Sequence, residues 1–405
     1  MDRFYITAKN GVIGDGVKVL SPIWVGIEGT KITYVDSAKP QDANGQNTTD
    51  MGECTLTPGL FNLHDHVNRK ALRDEPSTLP LNVRSKTFMA QPYQYMLLHG
   101  VHNVKNMLSE GITFIRDFGL GEYTAVNLKR GIKEGLVPGP EMMVCGRDIC
   151  MSGGHCHAAA REVDGVPEMM KAVREEIRAG ADFIKFMASG GLENFPREDP
   201  KYPEFTVEEL KAGIEVAHDA GVKTAAHVYP KAAIMRVLTA GIDCVEHGVQ
   251  LDDECIEIMV KRNTPLVPTM TGVKGSYFIQ PVTEEKKRSI PLLEERIWGP
   301  HAISVKKAVA AGLLVGTGTD SYGRLSDEIR SIAAAAGETP VQAIAHATSI
   351  SAKIINRPEL GLLEVGKHAN VAAFPGDLTA SLDTIDHAVQ LWLHGKPMLY
   401  SGGIK

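Results

Sequence analysis

Short apolar runs alternate with amphipathic stretches through the middle of the chain. The runs have the length and composition of buried β-strands and lie at residues 56–66, 112–119, 141–147, 183–188, 222–228, 243–248, 265–270 and 314–320. Helices are predicted between them, because capping-box sequences begin at Thr206 and Thr339. A glycine precedes several strands, where the C-terminal end of a helix belongs: Gly111, Gly180, Gly221, Gly241 and Gly312. This alternation predicts βα units and a parallel sheet.

The two ends of the chain have a different pattern. Residues 1–56 and 359–405 contain short, loosely alternating strands separated by glycine-rich turns. The length of 405 residues suits a barrel of roughly 250 residues or more with a second module. We therefore predict an α/β protein: a (β/α)8 TIM barrel over residues 57–358, and a small β-sandwich domain built from residues 1–56 and 359–405.

Composition and charge exclude several classes of protein. The net charge is −6, and no basic tract indicates a nucleic-acid partner. The sequence shows no signal-peptide pattern and no apolar run long enough to span a membrane. The six cysteines are scattered without a CxxC pair, which is typical of reduced thiols. We therefore expect a cytoplasmic protein that acts on a small molecule, not on nucleic acid or a membrane.

Residues with metal-binding side chains stand at the C-terminal ends of five predicted strands. His64 and His66 are two residues apart on one strand, so their side chains point to the same face. In a (β/α)8 barrel the C-terminal strand ends converge on one site. A lone histidine is usually structural, but this joint pattern predicts a metal centre. The predicted ligands are His64, His66, Lys185, His227, His247 and Asp320.

Lys185 needs separate treatment, because an ammonium group cannot bind a cation. Its neighbours in the strand are Phe183, Ile184, Phe186 and Met187, and such apolar surroundings favour the neutral amine. A neutral amine can add CO₂ to form a carbamate, whose two oxygens can bridge two metals. The alternative is an ion pair with a buried carboxylate such as that of Asp320. Lys185 alone leaves both interpretations open, and the histidines around it favour the carbamate.

Several longer motifs carry a family resemblance. They are TPGLFNLHDH at residues 57–66, the glycine-containing loop 146–165, GADFIKFMASGG at 180–191, AAHVYP at 225–230 and the stretch 345–374. Together they resemble the amidohydrolase superfamily, and in particular its prolidase-like, imidazolonepropionase-related branch. Members of that branch hydrolyse dipeptides and N-acyl amino acids. The resemblance covers nearly the whole chain.

The resemblance implies a centre with two divalent metal ions. His64 and His66 would bind the more buried ion together with Asp320, and His227 and His247 would bind the second. Carboxylated Lys185 and a hydroxide would bridge the two ions. Zinc is the expected metal, although the ligand types also suit Mn²⁺, Co²⁺ or Fe²⁺.

Two departures from the family pattern stand next to the first ligands. Asn62 replaces the family's aspartate, and Phe61 replaces its usual isoleucine. The change at position 62 leaves that residue's contact with the metal ligands open.

Three residues are predicted to take part in catalysis: Asp320, which is also a predicted ligand, Tyr229 and His155. Asp320 has one oxygen to spare, so it can accept a proton from the hydroxide and pass it to the leaving amine. Tyr229 follows His227 by two residues and shares its inward face, from which its hydroxyl could reach the substrate carbonyl or a terminal carboxylate. His155 follows two glycines in the loop after the third strand and matches a substrate-facing histidine of the family.

The loop after the first strand contains Arg69, Lys70 and Arg73. These cations could bind a substrate carboxylate. Pairing with Asp74 and Glu75 in a solvated loop is an equal alternative.

These observations predict a binuclear metal-dependent hydrolase that cleaves the amide bond of a dipeptide or an N-acyl amino acid. The alternative is a cyclic-amide hydrolase or a deaminase of the same superfamily. Mononuclear deaminases have a glutamate shortly after the strand-five histidine and lack the bridging lysine, whereas VYPKAAIM follows His227 here. A non-catalytic scaffold would have lost ligands, and this chain keeps the full set. We also expect a homo-oligomer.

Overall fold

The structure is a computed structural model. It describes residues 3–69, 87–192, 199–278, 284–400 and 403–404. The predictions made for Lys70, Arg73, Asp74 and Glu75 lie outside these residues. Within the described part of the chain, no helix is long and apolar enough to cross a membrane.

The described strands are short. In chain order they are β1 Phe4–Ala8, β2 Asn10–Val12, β3 Val19–Leu20, β4 Ile23–Glu28, β5 Lys31–Asp36, β6 Thr48–Asp50, β7 Thr55–Pro58, β8 Leu60–Asp65, β9 Ile112–Asp117, β10 Glu141–Val144, β11 Ile149–Cys150, β12 Arg161–Glu162, β13 Phe183–Met187, β14 Lys223–Val228, β15 Cys244–His247, β16 Leu266–Val267, β17 Val371–Phe374, β18 Gln390–Leu393, β19 Lys396–Pro397, β20 Leu399–Tyr400 and β21 Gly403–Ile404.

The helices alternate with the strands of the central region. They are α1 Tyr93–Ser109, α2 Thr124–Lys133, α3 Gly165–Ala179, α4 Val207–Asp219, α5 Lys231–Ala240, α6 Asp253–Arg262, α7 Met270–Phe278, α8 Glu284–Leu293, α9 Gly299–Ala310, α10 Leu325–Ala336, α11 Pro340–Ala345 and α12 Ser351–Ile354. Two π-helical turns, Glu294–Trp298 and His346–Ile350, join α8 to α9 and α11 to α12.

The central strands run parallel and neighbour one another in chain order. Strand β8 pairs with β9 and β9 with β10, while β13, β14, β15 and β16 pair in sequence. Asp182 N donates to Val144 O at 2.7 Å, which joins the start of β13 to β10. Gly316 N donates to Leu266 O and Thr319 N to His64 O, each at 2.9 Å. Residues 314–319 therefore lie between β16 and β8, and the protein is an α/β protein with barrel-like strand order.

Helices pack on the outside of these strands through one large apolar core, which includes Phe186 on β13, Met169 on α3 and Ile214 on α4. Gly213 of α4 allows this close packing, because a Cβ there would lie 3.0 Å from both the Met169 and Phe186 side chains. The parallel strands are buried on both faces, as expected for a sheet covered by helices.

The two ends of the chain share their sheets. One sheet has the order β5-β4-β1-β6, and another has the order β19-β18-β17-β7-β2-β3. The second sheet therefore combines strands from both ends. Ile6, Val25, Val371 and Trp392 belong to one buried cluster, so both sheets contribute to a common core.

The first predicted strand, 56–66, is two strands in the structure. Strand β7 joins the terminal sheet, while β8 joins the central one, and Gly59 separates them. A Cβ at Gly59 would lie 2.3 Å from Thr113, so only glycine allows this close approach. The predicted strand 265–270 is also shorter, because α7 begins at Met270. An apolar run alone could not show either boundary.

The predicted helix signals are confirmed. Thr206 and Thr339 each form a complete capping box with the residue three positions later. The glycines predicted to end helices all have a left-handed backbone, with φ between 72° and 105°. This agreement follows from the local nature of capping, which depends on neighbouring residues in the sequence.

Candidate metal centre and active site

One cavity collects the predicted site residues. The cavity lies at the C-terminal ends of the central strands, and its walls include side chains from strands distant in sequence. All six predicted metal ligands line it, and so do the three predicted substrate-contacting residues: His64, His66, Lys185, His227, His247, Asp320, His155, Tyr229 and Arg69.

His64 and His66 present their Nε2 atoms to Asp320. His66 Nε2 lies 3.2 Å and His64 Nε2 3.8 Å from Asp320 Oδ1. The other ring nitrogen of each histidine has a protein partner: His66 Nδ1 contacts Gly119 O at 2.7 Å, and His64 Nδ1 contacts Glu246 at 2.8 Å. Such partners fix the tautomer and the ring orientation of a metal-binding histidine. Ligand atoms of these three residues lie within 4.8 Å of one another.

Glu246 and Arg116 form a buried support beneath His64 that sequence analysis did not identify. Arg116 Nη2 donates to Glu246 Oε1 at 2.6 Å, and Arg116 Nε donates to Leu63 O at 2.8 Å. Strand alternation would turn Glu246 away from the face used by its neighbour His247. His247 instead has a left-handed backbone with φ of 66°, so alternation ends there. In the sequence, the sign that Glu246 has a role was its position as a carboxylate inside an apolar strand.

His227 and His247 lie next to each other on adjacent strand ends. Their ring centres are 4.6 Å apart, and those of His64 and His247 are 4.9 Å apart. His247 Nδ1 contacts Thr269 Oγ1 at 2.6 Å, and His227 Nε2 contacts Gly190 O at 3.2 Å. Each ring therefore keeps one nitrogen for a ligand, Nε2 in His247 and Nδ1 in His227.

The electrostatics keep three of the histidines neutral. Burial lowers the pKa of His64, His227 and His247 well below the usual value, and neighbouring histidines and Lys185 lower it further. Neutral imidazole is the form that binds a metal. Burial, the largest single effect, would raise the pKa of Asp320, but the hydrogen bond to His66 and the nearby charges of His66, His247 and Arg69 together lower that pKa to about 2. Asp320 is therefore a carboxylate at neutral pH.

Lys185 is buried among these ligands, with 1% of its surface exposed. Its Nζ lies 4.1 Å from the ring centre of Phe118. Across the described ranges, no carboxylate lies within ion-pair distance of that ammonium group. The alternative pairing with Asp320 is therefore not seen here, and a buried cation without a paired anion is costly.

Asn62 connects the first and last central strands. Its Nδ2 donates to Asp65 Oδ2 at 2.7 Å and to Thr319 Oγ1 at 2.8 Å. Asp65 points away from the cavity, as predicted from strand alternation, and also accepts from Thr319 Oγ1 at 2.6 Å. An aspartate at position 62 would face the Asp65 carboxylate, so the amide is suited to this chain. Asn62 thus supports residues 319–320, which carry the Asp320 ligand.

His155 and Tyr229 stack on the two sides of the same ligand ring. The ring centres of His155 and His227 are 4.3 Å apart, and those of Tyr229 and His227 are 4.8 Å apart. The backbone N–H of His155 donates to Glu204 at 2.9 Å, which fixes the glycine-containing loop. A Cβ at Gly191 would lie 2.3 Å from the His155 ring. Glycine at that position therefore lets the histidine reach the cavity.

Arg69 also lines the cavity, next to Tyr322. Its guanidinium carbon is 4.8 Å from the Tyr322 ring centre, and the arginine is 8% exposed. Arg69 Nη1 is buried and has no hydrogen-bond partner among the described residues. A buried charged donor without a partner is costly, so it indicates a place for an anion. Sequence analysis did not identify Tyr322, which follows two residues with left-handed backbones, Asp320 and Ser321.

Comparison with known proteins identifies the family to which this chain belongs. Residues 55–397 match the model of the amidohydrolase family, so the chain belongs to that family. The family match and the likeness to solved structures confirm the predicted TIM-barrel-like α/β fold and the resemblance to prolidase-like amidohydrolases.

The individual relatives share less than a third of their residues with this chain. The chain is 29% identical to ochratoxinase of Aspergillus niger over 297 residues, a match that covers 66% of this chain and 60% of that protein's length. A solved prolidase in complex with N-methylphosphonate-L-proline is 25% identical, with a TM-score of 0.82 and coverage of 98% and 99% of the two chains. A solved Xaa-Pro dipeptidase with bound methionine is 23% identical, with a TM-score of 0.83 and the same coverage, and shows the fold alone.

Proposed function

We propose that this protein is a metal-dependent hydrolase that cleaves the amide bond of an N-acyl amino acid or a dipeptide. The observation that carries the proposal is the convergence of six ligand-type side chains on one cavity at the strand ends. Membership of the amidohydrolase family supports the same reaction class. Similarity to a prolidase and to an ochratoxinase suggests a C–N bond as the one that breaks.

The donor set fits two divalent metal ions. His64, His66 and Asp320 would hold one ion, and His227 and His247 the other. All four histidines line the cavity, and one ring nitrogen of each is held by a protein acceptor or by a hydroxyl group, which leaves the other for a metal. Imidazole and carboxylate ligands suit Zn²⁺, which is the ion we propose.

Lys185 would join the two halves of the set as a carbamate. Its burial, the absence of a paired carboxylate among the described residues and its place between the histidines support this modification. A carbamate would place an anion among ligands that otherwise carry a single carboxylate. It would also offset part of the charge of two divalent cations.

The bound ions would lower the pKa of a water molecule and polarise the scissile carbonyl. Asp320 would accept the proton from that water, since it is ionised and has a second oxygen. It would then deliver the proton to the leaving nitrogen, since an amine anion is a very poor leaving group. Tyr229 and His155 would donate hydrogen bonds to the carbonyl oxygen as negative charge develops on it.

Arg69 would bind the carboxylate of the leaving amino acid. Its backbone N–H donates to His66 O at 2.9 Å, and His66 Nε2 lies 3.2 Å from Asp320, so Arg69 would lie on the side where the leaving nitrogen receives its proton. Its unpartnered Nη1 would gain the partner it lacks among the described residues. Tyr322 would hold the guanidinium plane in place by stacking against it.

The architecture supports this arrangement. We infer that the eight central segments close into a barrel and that the two terminal sheets form a sandwich, with domain boundaries near residues 57 and 358. The hydrogen bonds of residues 314–319 to both neighbouring strands and the shared terminal core support these inferences. The cytoplasmic location and the homo-oligomer remain predictions.

The experiment is a screen with metal-loaded protein. Dipeptides and N-acyl amino acids are incubated with the enzyme, and the released amino acid is measured. We expect release from compounds with a free α-carboxylate, and little release from their α-amides, because the amides lose the contact with Arg69. A metal-loaded protein that releases no amino acid from any compound would refute the proposed function.

A further inference from the structure

A second cavity lies beside the candidate active site. Tyr229 belongs to the walls of both cavities. The floor of the second cavity is apolar and includes Leu292 and Leu293 at the end of α8 and Ile297 in the π-helical turn that follows. The exposed side chain of Arg296 also lines it. The cavity therefore offers an apolar interior with a polar mouth, as small-molecule sites usually do.

One apolar cluster contributes side chains to the walls of both cavities. Leu192 lines the active-site cavity, and it packs in one buried cluster with Tyr229, Leu293 and Ile297. A substrate group that extends from the active site past Tyr229 would therefore remain against apolar side chains.

The orientation of the substrate follows from the proposed function, on which this inference rests. Asp320 and Arg69 occupy the side of the leaving amino acid. The acyl group is the other substituent of the scissile carbonyl carbon, so it must extend away from them. Leu192 and Tyr229 are among the side chains that line the cavity elsewhere, and the second cavity begins at Tyr229.

The charges around this path disfavour an ammonium group. Among the described residues that line the two cavities, the carboxylates are Asp320 and Asp199. Asp320 is assigned to the metal, and Asp199 forms an ion pair with Lys201 at 2.7 Å. The α-ammonium of a dipeptide lies next to the scissile carbonyl, so among these residues it would find no carboxylate that lacks a partner.

We propose that the second cavity is the binding site for a large, uncharged, apolar acyl group, aromatic or branched. The preferred substrates are then N-acyl amino acids in which such a group is joined to an amino acid with a free carboxylate. Dipeptides are the poorer class.

The first test compares two substrates that differ in one group. A 3-phenylpropanoyl amide and the matching phenylalanyl dipeptide share the leaving amino acid, and only the dipeptide has the ammonium group. We expect kcat/KM to be at least about 10-fold higher for the 3-phenylpropanoyl compound, because an uncompensated charge must lose its water on binding. Equal or faster cleavage of the dipeptide would overturn the proposed preference.

The second test fills the cavity. Leu292→Trp adds bulk to the cavity wall, and Glu295→Trp adds the same bulk at an exposed position outside it. For Leu292→Trp we expect kcat/KM on an N-(2-naphthoyl) amino acid to fall by about 10-fold or more, with little change on the N-acetyl analogue. Glu295→Trp should leave both unchanged. Equal effects of Leu292→Trp on the two substrates would contradict the site.

A binding measurement separates this inference from the proposed reaction. Calorimetry with 2-naphthamide needs no turnover, so it can be performed even if no substrate is cleaved. We expect binding to the wild type and to Glu295→Trp, with affinity at least about 10-fold weaker for Leu292→Trp. Absence of binding to the wild type, or equal binding to all three proteins, would refute the cavity as an aryl site.

Discussion

Replacement of Glu246 by glutamine should reverse the tautomer of a metal ligand. Glu246 accepts from Arg116 Nη2 through one oxygen and contacts His64 Nδ1 through the other. Arginine can only donate, so the glutamine oxygen must face Arg116, and the glutamine NH₂ must then face His64. His64 Nδ1 would become the acceptor, and the proton would move to Nε2, the atom that faces Asp320. A protonated Nε2 cannot bind a metal.

The magnitude follows from burial and from the partner that remains. Glu246 is fully buried, and removal of its charge leaves that of Arg116 without compensation. Breaking a buried ion pair costs about 3–5 kcal/mol, and we expect the lower end because glutamine still accepts one hydrogen bond. Loss of a partner that orients a ligand typically weakens metal binding by about 10- to 100-fold. Denaturant unfolding of the metal-free protein and zinc competition with a coloured chelator measure the two effects.

A second variant provides the control. In Glu246→Gln combined with Arg116→Met, no donor restricts the glutamine, so the amide can turn its oxygen toward His64. Zinc affinity should then recover, at least in part, relative to Glu246→Gln alone. The account of this support is wrong if Glu246→Gln binds zinc like the wild type, or if the double variant binds no better than the single one.

Four further changes test other parts of the site and the fold. Lys185→Ala should lose bound metal and activity together, and acetate or propionate should restore part of the activity; a variant with normal metal content and rate would exclude the carbamate. Asp320→Asn should reduce kcat by about 10²–10⁴-fold, a larger factor than its loss of metal affinity, and comparable losses would remove its role in proton transfer. Arg69→Met should raise KM for N-acyl amino acids and leave activity on their α-amides unchanged, whereas equal effects on both would exclude carboxylate recognition. Burial raises the pKa of Glu328 to about 7, so between about pH 4.5 and 7 the folded state binds a proton that the unfolded state does not, and the protein loses stability as pH rises through that range. The unfolding free energy of the wild type relative to Glu328→Gln should therefore fall by about 3 kcal/mol from pH 4.5 to 8. A difference that stays constant with pH would contradict the raised pKa.

Local signals and periodic patterns predicted much of the fold. The capping boxes at Thr206 and Thr339 depend on side chains three residues apart, so the sequence contains both partners. His64 and His66 were expected on one face because strand residues alternate, and both rings face Asp320. The split at Gly59 was missed, because its cause is a close approach to Thr113, a residue on another strand.

The supports of the site could not be predicted in the same way. Arg116, Glu246 and His64 come from three strands, and their contact depends on the order and register of those strands. In a regular strand the side chains of Glu246 and His247 would point to opposite faces, but the left-handed backbone at His247 ends that alternation. Such conformations result from the packing around the strand end. Glycine in the sequence would indicate a left-handed backbone, but a histidine does not.

The central claim is that two metal ions, held by this set of side chains, are required for amide cleavage. The most direct measurement is a zinc titration of the metal-free protein in bicarbonate buffer, with release of the amino acid from the best substrate of the screen as the signal. The account predicts no activity without zinc and a rise that ends at about two equivalents per chain. Full activity at one equivalent, or activity that persists after complete removal of metal, would contradict it.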